Sequence, residues 1–137
     1  MRSVRPPLLA SLHSDLKQPL IYITASQEKA VTAMDELEFW QPGMNVLNFS
    51  EPTTLFYEDA SWGGNTRRDR IGVLTALAKY HLPGEKVDGL SPLVITSAKA
   101  LMTRTMSRRD FLKSIMRVAI NTKKQISLLI LQLVNVG

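Results

Sequence analysis

The chain has 137 residues, a formal net charge of +5, 45% hydrophobic residues and no cysteine. That length suits one domain, or one domain with part of another, and the apolar content excludes a disordered polymer. Without cysteine there is no disulfide framework, no thiolate metal site and no cysteine nucleophile, which fits a reducing cytoplasm. The first dozen residues do not form a signal peptide, because Pro6 and Pro7 interrupt them and His13, Ser14 and Asp15 follow at once. Nothing approaches the run of about 20 apolar residues that a membrane span requires.

The charge is unevenly placed. Residues 1–100 hold 10 Lys+Arg against 11 Asp+Glu, whereas residues 101–137 hold 7 against the single acid Asp110. The basicity is therefore a property of the C-terminal third, where it suits an acidic protein surface, a phosphate backbone or plain solvent.

In chain order, Pro7 is placed to open a first helix with Leu8, Leu9, Leu12 and Leu16 as its apolar stripe. Leu20 to Ile23 reads as a short strand covered on both faces, as in a parallel sheet. Thr24 or Ser26 caps a second helix with Ala30, Val31, Met34 and Leu37 inward and Asp35, Glu36 and Glu38 outward. Pro42-Gly43 stops it, and Asn45 to Phe49 is the next strand.

The stretch from Asn48 to Leu77 is the most distinctive. Phe49, Phe56, Tyr57 and Trp62 fall in a long loop with turn residues Pro52, Gly63 and Gly64, and loops of that length tend to be functional or packed by their own side chains. Asn65 or Thr66 is expected to cap the helix that follows, with Ile71, Leu74, Leu77 and Ala78 as its buried stripe. Arg67, Arg68 and Arg70 lie in its first turns, where the helix dipole disfavours cations. They read as a solvated surface first and as a seat for an anionic partner second. Tyr80 to Leu90 is a connector, Leu93 to Thr96 a third strand, and Ser97 the cap of a short helix through Ala100, Leu101 and Met102. The alternation of helix and strand predicts an α/β fold: a parallel sheet with helices in right-handed crossovers.

Beyond Thr103 the composition changes. Ser107 to Phe111 is expected to begin a short helix, Met116 to Ile120 alternates like a half-exposed strand, and Ser127 to Val136 is apolar nearly all round, so it must be buried. The boundary predicts one domain over 1–103 and the opening of a second, α+β domain over 104–137. Arg104, Arg108, Arg109, Lys113, Arg117, Lys123 and Lys124 make this part basic, with Phe111 as the one interleaved aromatic, too few for stacking on single-stranded bases.

Several chemistries are missing. No G-x-x-x-x-G-K-[ST] or G-x-G-x-x-G string occurs, so the amide cradle and lysine of a triphosphate site are absent and ATP hydrolysis is not expected. His13 and His81 are the only histidines and read as surface or capping residues. Glu58 and Asp59 read as solvated loop residues, and Ser61 and Ser97 have no base partner in the sequence. No catalytic residue, cofactor or metal ligand is assigned. A candidate partner surface comprises Arg67, Arg68, Arg70, Arg104, Arg108, Arg109 and Lys113.

The segments RPPLLASLHSDLKQPLIYITAS, DELEFW, FSEPTTLFYED, RRDRIGVLTAL, PLVITSAKALMTRTMSRRDF and LILQLVNVG, in that order, resemble the N-terminal region of bacterial transcription-repair coupling factor. The loop with Pro52, Leu55, Tyr57 and Glu58, followed by Arg70 and Leu74, is the most specific part. Phe56 stands where that family usually has proline, and Leu128-Leu129-Ile130 where it usually has acids after the capping serine. The resemblance implies a UvrB-like, RecA-type α/β domain with a degenerate nucleotide site, interrupted by a UvrA-binding domain. It implies a recruiting module in transcription-coupled nucleotide excision repair rather than a motor. In the intact family the ATP-dependent DNA translocase and the RNA-polymerase-binding domain lie further along, and so do the arginines that contact UvrA, beyond the equivalent of Gly137. The residues alone leave two other readings open. One is a small α/β enzyme or ligand-binding domain using the 52–65 loop; the other is a basic nucleic-acid-binding module over Arg104 to Lys124.

Overall fold

The computed structural model describes residues 4–52, 62–82, 89–115 and Ser127. The strand expected over 116–120, the 121–124 turn, nearly all of the apolar 127–136 segment and loop residues Phe56, Tyr57, Glu58, Asp59 and Ser61 lie outside them. The chain divides into two compact units, Met1–Arg104 and Thr105–Gly137.

The first unit is an α/β fold. Its elements are α1 (Arg5–Leu16), β1 (Leu20–Thr24), α2 (Gln27–Trp40), β2 (Val46–Phe49), α3 (Gly64–Ala78), a 3-10 turn (Lys79–His81), β3 (Leu93–Ser97) and α4 (Ala98–Met102). The three strands are parallel in the order β1-β3-β2, with Leu93 opposite both Leu20 and Val46. The path from β1 to β2 moves two places across the sheet, and the path from β2 to β3 moves one place back. Right-handed crossovers then require α2 and α3 to lie on opposite faces. They do: Leu37, Leu93, Ile95 and Tyr22 pack with α1 and α2 on one side, and Phe49, Val94, Val73 and Leu77 pack with α3 on the other. β3 is buried along its whole length because it alone has a strand on each side and helices on both faces.

Helix ends follow local chemistry. The Ser26 hydroxyl accepts from Lys29 N at the start of α2, and Ser97 accepts from Ala100 N at the start of α4. α3 begins at Gly64 after Gly63 with no side-chain cap, so neither Asn65 nor Thr66 has that role. α1 ends at Lys17, whose left-handed φ of 49° lets its N–H reach the His13 carbonyl.

Three inward faces differ from those the hydrophobic spacing predicts. In α1 the buried residues are Pro6, Ala10 and His13, while Leu8, Leu12 and Leu16 are exposed. On the inward face the His13 Nε2–H donates to the Ser91 carbonyl across the unit, which ties this face to the segment before β3. His13 is thus a buried tether, not a surface residue. In α2, Ala30 and Leu37 are buried but Val31 faces solvent. In β1, Ile21 and Ile23 are exposed on the α3 side, because β1 is an edge strand and α3 packs over β2. The fully covered strand expected at 20–23 is therefore covered on one face only.

The second unit shows α5 (Arg108–Ser114) among its described residues, capped by Ser107, which accepts from Asp110 N. No helix among the described residues is long and apolar enough to cross a membrane.

Candidate functional site

In parallel α/β sheets, ligands and partners gather at the carboxyl ends of the strands. Here that edge carries a continuous polar network built from α2, β2, α3 and α4. Gln27 Nε2 donates to Asn48 Oδ1 at 3.2 Å, and Glu51 N donates to Gln27 Oε1 at 3.0 Å. Asn48 Nδ2 donates to Ser50 Oγ at 3.0 Å, and the Ser50 hydroxyl donates to Asp69. Ser97 Oγ donates to Glu51 Oε2 at 2.9 Å while accepting from Ala100 N, and Lys99 Nζ lies 2.5 Å from Glu51 Oε1. Thr24 and Thr96 stitch the strand ends together, Thr24 Oγ1 donating to the Thr96 carbonyl and Thr96 Oγ1 to the Phe49 carbonyl.

Arg70 sits behind this network and is 2% exposed. Its guanidinium donates to the carbonyls of Ser50 (3.0 Å), Ala100 (3.3 Å) and Thr103 (3.4 Å). Its central carbon lies 3.9 Å from the Phe49 ring centroid and 4.7 Å from that of Trp62. Two aromatic faces and three carbonyls thus solvate a buried cation that no carboxylate pairs among the described residues. Burial pushes its pKa down from the ordinary arginine value, yet arginine stays charged in proteins. The fork ties the end of β2, where the long loop departs, to α4 and the chain beyond it.

Arg70 therefore does not belong to the exposed cationic surface on which the sequence places it. Arg67 and Arg68 are exposed on α3, and Arg104 is exposed after α4. Arg108, Arg109 and Lys113 are exposed on α5 in the other unit. Ile71 is also exposed, and the inward set of α3 is Arg70, Val73 and Ala78 with Leu74 and Leu77.

Glu51 is the site residue that sequence reasoning missed. The available signal was its place just after a parallel strand, where side chains converge. The Lys99 ammonium, aided by the Ser97 hydroxyl, holds its carboxyl below the ordinary glutamate range against the opposing effect of burial. Ser97 donates its proton to Glu51 and accepts from a helix amide. The pair braces the end of β3 and the start of α4 against the residue that follows β2. Because the folded-state pKa is depressed, the brace contributes stability above the unfolded glutamate pKa and loses it as pH falls through the folded value. Glu51→Gln is expected to flatten that acid limb in urea midpoints measured between neutral pH and pH ~3; an unchanged limb would show that Glu51 is not held this way.

A groove of about 570 Å³ opens elsewhere, between the start of α1, the end of β1 and α2. Its rim mixes Arg5 and Lys29 with Glu28 and Glu36, so it presents no single sign of charge.

What these elements define is an α/β unit with a small three-stranded parallel sheet flanked by helices. No protein-family model matches the chain, and neither a curated protein nor a solved structure does.

Proposed function

We propose that the chain is a non-catalytic recruiting module, the UvrB-like N-terminal region of a transcription-repair coupling factor. In this reading residues 1–103 are a RecA-type domain with a degenerate nucleotide site, and residues 104–137 open the UvrA-binding domain. Its work in the cytoplasm is to help bring the excision machinery to a stalled polymerase, with the translocase and polymerase contacts residing in other domains of the intact family. Support comes from the motifs that keep their order along nearly the whole chain.

The structural observation that carries the reading is the turn after β1. A phosphate-gripping loop needs several residues and glycine amides between the first strand and its helix. Here only Ala25 and Ser26 lie between Thr24 and Gln27. The Ser26 side chain takes the Lys29 amide, and the Thr24 hydroxyl donates to the Ser26 carbonyl at 2.8 Å. The helix terminus is closed by the protein's own groups.

Calorimetric titration with magnesium-ATP is expected to show no saturable binding below the millimolar range, and micromolar binding would overturn the reading. UvrA itself is expected to bind this chain weakly, since the arginines the resemblance assigns to that contact have no counterpart here. The positive test is a chimera in which this chain replaces the matching segment of an intact coupling factor. Strand-specific repair should persist, and its loss with normal folding would count against the assignment.

A further inference from the structure

Among the described residues, one face of α1 has nothing packed on it. Val4, Leu8 and Leu16 are 61%, 56% and 49% exposed, and Leu12 is 41% exposed. Spaced four residues apart, they form one stripe just before and along a 12-residue helix. Arg5 and Asp15 are exposed on the same face, and neither pairs with an opposite charge among the described residues. The inward face of the same helix, through Pro6, Ala10 and His13, is already committed to the core.

The order of residues along the stripe selects its occupant. Consider two copies of α1 packed antiparallel about a two-fold axis at position 10. Leu8 then faces Leu12 of the other copy, Val4 faces Leu16, and Arg5 faces Asp15, each contact occurring twice. A shift of the axis by one half-turn in either direction leaves Asp15 or Arg5 without its opposite and strands part of the stripe. A parallel arrangement sets Arg5 against Arg5 and Asp15 against Asp15. One register alone satisfies both the apolar and the charged positions, which is the mark of an isologous surface. A lipid surface fits less well, because an acid sits within the stripe and Arg5 is its single cation among the described residues.

We infer that α1 is a self-association surface through which two copies of this chain form an antiparallel, two-fold helix pair. The stripe is short, so the dimer is weak and concentration-dependent, below the size of a permanent interface. It lies on the helix side of the sheet and leaves the carboxyl-edge network and Arg70 clear.

Sedimentation equilibrium of the full chain across the micromolar range should show mass rising from one copy toward two. Leu8→Ser with Leu12→Ser should abolish the rise while leaving circular dichroism unchanged, since both side chains are solvent-exposed in the single copy. Arg5→Asp alone, which sets acid against acid twice, should weaken association about tenfold. Adding Asp15→Arg to it should restore the parent affinity by exchanging the charges. A chain that stays monomeric throughout, a leucine double variant that associates like the parent, or a charge exchange that fails to restore association each overturns the inference.

Discussion

Arg70→Ala is expected to destabilise the first unit by about 3–5 kcal/mol. Hydrogen bonds from a charged donor are worth roughly 1.5–3 kcal/mol each when their acceptors would otherwise be stranded. Here one side chain serves the carbonyls of Ser50, Ala100 and Thr103. Truncation also opens a slot between the Phe49 and Trp62 rings, which lie 3.9 and 4.7 Å from the guanidinium. Against a total of about 5–15 kcal/mol for a domain, that loss brings the variant close to unfolding. Arg70→Lys keeps the charge but not the planar fork, so it should recover less than half of the loss. Urea unfolding followed by intrinsic tryptophan fluorescence measures both. A cost under about 1 kcal/mol for alanine would mean that water can replace the fork and that the site is not a clamp.

Leu37→Ala is the second large effect, at about 2–5 kcal/mol. Leu37 is 0% exposed and packs with Leu93 and Ile95 under the centre of the sheet. The informative control is Val31→Ala on the same helix. Its side chain is 45% exposed, and alanine is the better helix former, so the change should fall within about 0.5 kcal/mol of zero. Equal losses at the two positions would mean that α2 is rotated so that Val31 also faces the sheet.

These two cases also mark what was legible in the sequence. The helix–strand alternation gave the α/β class, the parallel sense and the strand positions, because apolar runs bounded by Pro, Gly and Ser are local signals. Rotation was legible in part: Ala30, Met34 and Leu37 of α2 and Leu74, Leu77 and Ala78 of α3 face inward as their spacing predicts, whereas Val31 and Ile71 do not. In α3 the inward face also takes in Arg70 and Val73 and leaves Ile71 outside, because Arg70 occupies a core position that no hydropathy pattern assigns to a cation. In α1 Ala10 and His13 face inward together with Leu9, while Leu8, Leu12 and Leu16 do not, and a 78-residue bond from His13 to Ser91 ties that face to the rest of the unit. That bond depends on β3, and sequence order does not say that β3 slips between β1 and β2. The carboxyl-edge network was illegible for the same reason: Gln27, Asn48, Glu51 and Ser97 are unremarkable residues until the strand order brings them together.

The position of β3 has a consequence for how the protein is made. The inner strand is the last of the three to leave the ribosome, and each of its neighbours pairs with it rather than with the other. The bonds at the strand ends reach across 47 and 72 residues, from Thr96 to Phe49 and from Thr24 to Thr96. Such long closures slow the search for the native state. A nascent chain arrested before Leu93 has two orphan strands with nothing to zip against, and Ile21 and Ile23 add greasy surface to one of them. This sheet first becomes possible once Leu93–Ser97 has emerged, and until then the apolar surface of the two earlier strands is open to aggregation.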